Sequence, residues 1–173
     1  LDNCTGIKKV PLHNTRCVYG VFLKENGHTL DDAMVYQVEE NKYMVVVNAG
    51  MGAELCAHLR KYQHNLDVNI TDLTDTLGKI DIQGPRSALF LAEILEQPDN
   101  VLAKMAYFSF KGWFEEGGRE AVMLKNGTPV LLSRTGYTGE FGFEMFLHPD
   151  RLVDVWQMLL DKGGGNIVPC GLA

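Results

Sequence analysis

A glycine-rich polar segment between two apolar runs constrains the fold of this chain more than any other stretch. Residues 133–144 hold three glycines and two glutamates, and apolar runs at residues 130–132 and 145–147 flank them. Glycine allows backbone conformations and close approaches that other residues forbid. The pattern predicts polar side chains on a tight turn between two strands, where they can meet a ligand. Taken alone, it also fits a purely structural hairpin with a bulge.

Composition argues against two classes of partner. The chain has 173 residues, enough for one large domain or two small ones with a real core. Its net charge of −6 at pH 7 argues against nucleic acid as the main partner, because phosphate binding needs a basic face. No apolar run approaches the roughly 20 residues that span a membrane, so we expect no membrane partner.

Cysteines and histidines form neither a redox nor a metal-binding pattern. The cysteines are widely spaced and no pair forms CxxC, which predicts free thiols in a reducing compartment. They are Cys4, Cys17, Cys56 and Cys170. The histidines, at positions 13, 28, 58, 64 and 148, include no pair at metal-ligand spacing. We therefore expect no metal site.

The first part of the chain has the pattern of a strand meander followed by a helix. Strands are predicted over residues 16–23, 32–38 and 43–48, the last apolar enough to be buried on both faces. Asn26-Gly27 is the usual hairpin signal between the first two strands. Residues 51–63 carry apolar side chains at three- and four-residue spacing, which predicts a helix.

The second part predicts further short strands and two helices. Pro85 stands where a helix can begin, and this helix is predicted to run to about residue 95. A second helix is predicted over residues 148–160, ending at glycines 163–165. Its apolar stripe comprises Leu152, Val153, Val155, Trp156, Leu159 and Leu160. Short strands are predicted over residues 68–70, 79–82, 108–111, 121–124 and 130–133.

Strands and helices occur in clusters and not as repeated βαβ units. This arrangement favours an α+β fold with mostly antiparallel sheets and packed helices. An internal boundary is predicted near residues 75–78, which divides the chain into residues 1–75 and 76–173.

Five segments in order along the chain resemble one protein family. They are an aromatic strand with a turn and paired aspartates, a VVNA strand end, a QGP turn, the glycine-rich segment and a PCGLA stretch. These segments occupy residues 19–32, 45–49, 82–85, 133–144 and 168–173. Together they are similar to the aminomethyltransferase family, the T protein of the glycine cleavage system and its folate-dependent relatives.

The resemblance implies a domain organisation. Residues 1–75 would form a first, partial folate-binding subdomain, and residues 76–173 a second one, truncated at its C-terminal end. We expect the C-terminal barrel domain of the family to lie outside this chain, together with an arginine that the family places near the folate site.

Asp32 is the first candidate for a catalytic group. The resemblance places the second aspartate of the pair beside the reactive nitrogens of tetrahydrofolate. A fixed carboxylate there could orient an N–H nucleophile and stabilise developing positive charge. Asp31 would point to the opposite face of an extended strand. Without the family, both aspartates fit solvated carboxylates at a strand end.

Glu144 is the candidate for pteridine recognition. The family uses the last glutamate of the glycine-rich segment to accept hydrogen bonds from the 2-amino group and the adjacent ring N–H. Glu140 is the competitor and fits a turn residue. Tyr19 and Tyr137 would supply aromatic surface and hydroxyls around the folate, although Tyr19 fits core packing on a strand almost equally well.

Val46 and Asn48 end a strand that the family sets against the pterin edge. Asn48 could instead cap the following helix. Lys111 with Trp113 invites a role in binding a substrate carboxylate, but a surface strand is the simpler interpretation.

The leading hypothesis from the resemblance is tetrahydrofolate-dependent transfer of an aminomethyl group from lipoylated H protein, with release of ammonia and formation of 5,10-methylenetetrahydrofolate. One alternative keeps the folate and takes small methylated compounds as donors. Another is a non-catalytic folate-binding module, whose KGCYxGQE-like signature differs from residues 134–140 here, and a third is a purely structural domain. The location implied is cytoplasmic in a bacterium and mitochondrial in a eukaryote.

Overall fold

The structure is a computed structural model that describes residues 15–115 and 121–171. Cys4, His13 and the end of the PCGLA stretch at residues 172–173 lie outside the described residues. The chain divides into two compact units, Leu1–Asp75 and Thr76–Ala173. Antiparallel sheets and helices build both units, which confirms the predicted α+β class. Within the described ranges, no helix has the length and apolarity required to cross a membrane.

The first unit is a three-stranded antiparallel sheet, in the order β1-β2-β3, followed by a helix. Its elements are β1 (Cys17–Leu23), β2 (Thr29–Glu39), β3 (Lys42–Val47) and α1 (Gly52–Lys61). Gly27 has φ 80° and closes the predicted β1–β2 hairpin, since its N–H donates to Lys24 O. One sheet face packs Ala33 and Val35 against Leu55 of α1. The expectation that β3 is buried on both faces is wrong: Met44 is its one buried residue, and Val45, Val46 and Val47 are only half-buried.

Residues 68–70 are not a strand, contrary to the prediction. Side chains bond the carbonyl groups of this segment where a neighbouring strand would otherwise do so. The Gln63 amide donates to the carbonyl of Val68, and Arg60 Nη2 donates to that of Ile70 at 2.9 Å. The alternation of apolar and polar residues here resembles a strand in sequence, but the segment is an irregular connection.

The second unit is a five-stranded antiparallel sheet with helices on one face. Four strands follow the order β4-β8-β7-β5, and β6 pairs with β7. Its strands are β4 (Gly78–Gln83), β5 (Phe110–Gly112), β6 (Val122–Met123), β7 (Pro129–Ser133) and β8 (Gly142–Leu147). Its helices are α2 (Ser87–Ile94), α3 (Pro98–Leu102) and α4 (Leu152–Gly163). The sequence did not predict α3.

The core of the second unit lies between the sheet and helices α2 and α4. It includes Ile80, Ile82, Leu91, Ile94, Phe143, Met145, Val155 and Leu159. Helix α4 begins later than predicted, because Pro149–Arg151 forms a 3-10 turn before it. The predicted stripe is also too wide: Val153 is 77% exposed and Trp156 is 42% exposed.

The glycine-rich segment connects β7 to β8, as predicted, but through a loop over residues 134–141 and not a tight turn. Two contacts attach this loop to the end of β4. Gly84 N donates to Phe141 O at 2.6 Å, and Gln83 Nε2 donates to Thr135 O at 3.2 Å. The loop is thereby held over the polar face of the sheet.

Candidate functional site

In the first unit, three candidate residues share the sheet face that is turned away from α1. Tyr19, Met34 and Val46 stand opposite one another across the three strands, and Asp32 lies two residues before Met34 on the same face. Tyr19 is 55% exposed, which contradicts the core-packing alternative. Asp31 lies on the opposite face and is buried, as expected from strand alternation.

Asn48 joins the two aspartates at the end of β3. Its Nδ2 donates to Asp31 Oδ1 at 2.8 Å and to Asp32 Oδ1 at 2.9 Å. Its backbone N–H donates to Asp31 Oδ2 at 3.1 Å. The helix-cap alternative is wrong, because the N-cap position of α1 is Met51 and no side chain caps it. Asn48 therefore fixes the buried side chain of Asp31 and also orients the carboxylate of Asp32 on the opposite face of the sheet.

Tyr19 completes the support of Asp32. Its hydroxyl donates to Asp32 Oδ2 at 3.0 Å, and this hydrogen bond raises the pKa of Tyr19, so the phenol stays protonated. Each oxygen of Asp32 thus accepts one hydrogen bond from a neutral donor. A carboxylate oxygen has two lone pairs, so an oriented Asp32 retains acceptor capacity for a further N–H group.

In the second unit, Glu144 lies in the middle of the sheet. It stands opposite Asp81 on β4 and Ser133 on β7, and it is only 4% exposed. Lys79 Nζ lies 2.6 Å from Glu144 Oε1, and the Thr135 hydroxyl donates to Oε2. A cation thus approaches one oxygen of this buried carboxylate and a neutral hydroxyl approaches the other.

Lys79 also binds Asp81, with Nζ 3.2 Å from Oδ2. Burial lowers the pKa of Lys79, but the carboxylates of Glu144 and Asp81 raise it by more. The net pKa of Lys79 is therefore raised, and the ammonium stays charged. Burial raises the pKa of Asp81; Lys79 opposes this effect and Glu144 adds to it. Lys79 therefore joins two carboxylates on adjacent strands.

Lys79, Asp81 and Thr135 were not identified from the sequence. The alternation of Lys79 and Asp81 with Ile80 and Ile82 signals a strand with one polar face. It does not signal what that face meets, because the contact with Glu144 depends on the pairing of β4 with β8.

Tyr137 and Glu140 both lie in the loop, in exposed positions. The Tyr137 ring is 71% exposed, and its centroid lies 5.7 Å from Lys79 Nζ. Glu140 is exposed, and its backbone N–H donates to Thr138 Oγ1, which is the geometry of a turn residue. The structure therefore brings Tyr137 next to the Lys79–Glu144 pair, while Glu140 takes part in the loop turn.

Gly142 leaves no room for a side chain beside Gln83. A Cβ there would lie 2.7 Å from Gln83 Cα and would overlap Oε1. We expect Gly142→Ala to lower the free energy of unfolding by about 1–3 kcal/mol, the usual cost of overpacking, in urea denaturation. Gly171→Ala is the matched control, because its added Cβ meets no atom within 4 Å. Equal midpoints for the two variants would contradict this packing.

Lys111 is committed to a structural contact. Its Nζ donates to the carbonyls of Asn100 at 2.8 Å, Val101 at 2.7 Å and Ala103 at 3.1 Å. These carbonyls belong to the C-terminal part of α3 and the residue after it, where a cation is favourable. All three N–H donors of the ammonium are used, so we assign Lys111 no ligand-binding role.

Neither metal-ligand groups nor cysteine thiols of the described residues contribute a further candidate to the site. Over residues 15–115 and 121–171, no group of three or more His, Cys, Asp or Glu side chains could hold a metal ion. Cys56 and Cys170 are free thiols.

Comparisons with known proteins agree with the fold. The family model described as the GCVT N-terminal domain matches residues 2–173. The aminomethyltransferase of Streptomyces coelicolor is 35% identical over 159 residues, which is 91% of this chain and 39% of that protein. The aminomethyltransferase of Cutibacterium acnes is 31% identical over 173 residues, which is 100% of this chain and 45% of that protein.

A solved structure has the same fold. The crystal structure of glycine cleavage system aminomethyltransferase T from Bartonella henselae matches with a TM-score of 0.70 and 22% identity, over 91% of this chain and 38% of that one. The chain spans less than half the length of each of these three proteins. Because the family model covers nearly every residue, the chain belongs to the GCVT N-terminal domain family.

Proposed function

We propose that the full-length protein catalyses tetrahydrofolate-dependent one-carbon transfer. The specific reaction is the passage of an aminomethyl group from the lipoyl arm of H protein to tetrahydrofolate. The C–S bond to the arm and the C–N bond to ammonia break, the arm leaves as a free thiol, and 5,10-methylenetetrahydrofolate forms. The observation that carries this proposal is the buried Glu144 carboxylate, hydrogen-bonded through both oxygens, in a chain of this family. Similar proteins from two bacteria are named aminomethyltransferase.

Glu144 is suited to a ligand edge that presents two neighbouring N–H groups. The pteridine ring has such an edge, formed by its 2-amino group and the adjacent ring N–H. The two oxygens of Glu144 have about four acceptor sites, of which Lys79 and Thr135 use one each. The remaining sites match the two N–H donors in a paired, charge-assisted contact.

Tyr137 supports the same ligand class. Its ring is largely exposed and adjoins the Lys79–Glu144 pair. A flat heteroaromatic ring bound through its edge by Glu144 would gain contact with a neighbouring aromatic face. In this proposal Glu144 sets the in-plane orientation of the pteridine, and Tyr137 contributes apolar contact.

Asp32 is the proposed catalytic group. Asn48 and Tyr19 hold its carboxylate with one donor on each oxygen, so it needs no reorientation during the reaction. Such a fixed anion can accept a hydrogen bond from a folate N–H and stabilise the positive charge that develops as this nitrogen attacks the aminomethyl carbon. Val46 and Asn48 are proposed to line the folate beside it.

The proposed partner is the lipoylated H protein, which delivers the aminomethyl group. With bacterial relatives such as those above, the reaction is expected in the cytoplasm; a eukaryotic protein of this kind would work in the mitochondrion.

Two measurements test the proposal on the full-length protein. Isothermal titration calorimetry is expected to show stoichiometric binding of tetrahydrofolate. Single-turnover mixing with aminomethylated H protein is expected to release one ammonia and form one 5,10-methylenetetrahydrofolate per H protein. Lack of tetrahydrofolate binding would overturn the proposal as a whole. Folate binding with transfer only from small methylated amines would overturn the assignment of the donor and favour the demethylase alternative.

A further inference from the structure

A lysine ammonium lies beside the proposed pteridine-binding carboxylate and is only partly covered. Lys79 is 30% exposed at its side chain, whereas Glu144, its partner at 2.6 Å, is 6% exposed at its side chain. Asp81, which stands opposite Glu144 on the neighbouring strand, also holds this ammonium, with Oδ2 at 3.2 Å. An ion pair on the surface contributes little to stability. The Lys79 ammonium, however, is held by two carboxylates, one of them buried, and so has a defined position.

The ammonium has one N–H group to offer. A lysine has three donors and no acceptor, and Lys79 uses one on Glu144 and one on Asp81. Among the described residues, its remaining close neighbour is the ring of Tyr137 at 5.7 Å. This neighbour is a cation–π contact and consumes no hydrogen bond, so the third N–H is left for a ligand.

The order of these groups along the site defines a recognition pattern. Thr135 approaches Oε2 of Glu144, and Lys79 approaches Oε1. A ligand edge that lies along the carboxylate therefore meets three groups in order. These are the acceptor Oε2, the acceptor Oε1 and the donor Lys79 Nζ. The complementary edge presents N–H, N–H and C=O in sequence, which is the 2-amino, N3–H and 4-oxo edge of a pterin.

We propose that Lys79 is a specificity-determining residue that selects pteridines with an oxo group at position 4 against those with an amino group there. The inference rests on the proposed function, because it takes Glu144 as the pteridine ligand. A 4-oxo group accepts the free N–H of Lys79. A 4-amino group instead turns its own donors toward an ammonium that has no acceptor, and N3 then carries no hydrogen for Glu144, so hydrogen bonds are lost at both places.

Asp81 is a positioning residue in this scheme. It touches no ligand atom and keeps the ammonium from turning wholly onto Glu144. Its removal is expected to weaken binding without abolishing the preference, because the ammonium itself provides the discrimination.

The test compares tetrahydrofolate with 4-amino-4-deoxytetrahydrofolate, which has an amino group at position 4 and no hydrogen on N3, by calorimetry on the full-length protein. The wild type is expected to prefer the 4-oxo ligand by at least about 10- to 150-fold, the range for one hydrogen bond to a charged group. Because the N3–H contact with Glu144 is missing from the 4-amino ligand in every variant, Lys79→Met is expected to reduce this preference by about 10-fold or more without abolishing it. Lys79→Arg, which retains donors, and Asp81→Asn are expected to keep most of it.

A second variant covers the case in which two carboxylates without a cation prevent folding. Lys79→Met combined with Asp81→Asn removes the like charge and is expected to show the same loss of preference. If Lys79→Met or the double variant weakens both ligands equally and keeps the wild-type ratio, Lys79 is a structural ion pair and the inference is wrong. If the wild type binds neither ligand, the proposed function fails first, and the two failures are thereby distinguished.

Discussion

Glu144→Gln is expected to weaken tetrahydrofolate binding to the full-length protein by about 10- to 150-fold, because a hydrogen bond to a charged group contributes about 1.5–3 kcal/mol. The new amide keeps the size of the side chain but replaces one acceptor oxygen by a donor. This donor would face either a pteridine N–H or the Lys79 ammonium, which lies 2.6 Å from Oε1. Calorimetric titration with tetrahydrofolate measures the loss.

The matched control is Glu140→Gln, in the same glycine-rich segment. Glu140 is exposed, and the contact that the loop makes through it uses its backbone N–H and not its carboxylate. We expect this variant to bind tetrahydrofolate within about twofold of the wild type, as surface changes usually have small effects. A large loss in Glu140→Gln with normal affinity in Glu144→Gln would assign the pteridine to the other glutamate of the segment.

Thermal unfolding of both variants separates binding from stability. Glu144 is buried and pairs with Lys79, so removing its charge leaves the ammonium with Asp81 alone and lowers stability as well. A loss of affinity that persists far below the unfolding temperature belongs to the site.

Local signals explain why much of the fold was predictable. The Asn26-Gly27 pair marks the hairpin that joins the first two strands, and residues 51–63 carry a helical period that the structure realises as α1. The strand predicted over residues 68–70 is absent, because alternation of apolar and polar residues does not distinguish a strand from a segment whose carbonyls accept hydrogen bonds from side chains such as that of Gln63. The short helix α3 was not predicted, because five residues are too few to show a periodic pattern.

The side chains that contact the candidate residues could not be predicted from the sequence, for a different reason. Motif position alone marked Asp32 and Glu144 as candidates. Lys79 meets Glu144 across a separation of 65 residues, and that meeting depends on strand order and register, which no local pattern encodes. Asn48 shows the same limit: its type fits a helix cap, but the pairing of β2 with β3 makes it the link between two aspartates.

Asp32→Asn is expected to reduce the single-turnover rate of aminomethyl transfer by about 100- to 1,000-fold, the cost of removing a preorganised electrostatic group. Tetrahydrofolate affinity is expected to stay within about threefold of the wild type. The substitution is tolerated structurally, because the Tyr19 hydroxyl, which donates to Asp32 Oδ2, can turn and accept from the new amide. The loss therefore reflects the missing charge beside the attacking nitrogen. Rapid mixing with aminomethylated H protein measures the rate, and calorimetry measures the affinity.

Asp67→Asn is the control for this variant, since it makes the same chemical change at an exposed carboxylate of the same unit and is expected to transfer at the wild-type rate. Tyr19→Phe adds a graded case: it keeps the ring and removes one of the two donors that orient Asp32, so we expect a loss of about 10-fold, near the lower end for a single hydrogen bond to a charged group. If Asp32→Asn transfers at a near-normal rate, or if its rate falls only in proportion to its folate affinity, then Asp32 binds folate without acting on the transition state, and the proposed catalytic role is wrong.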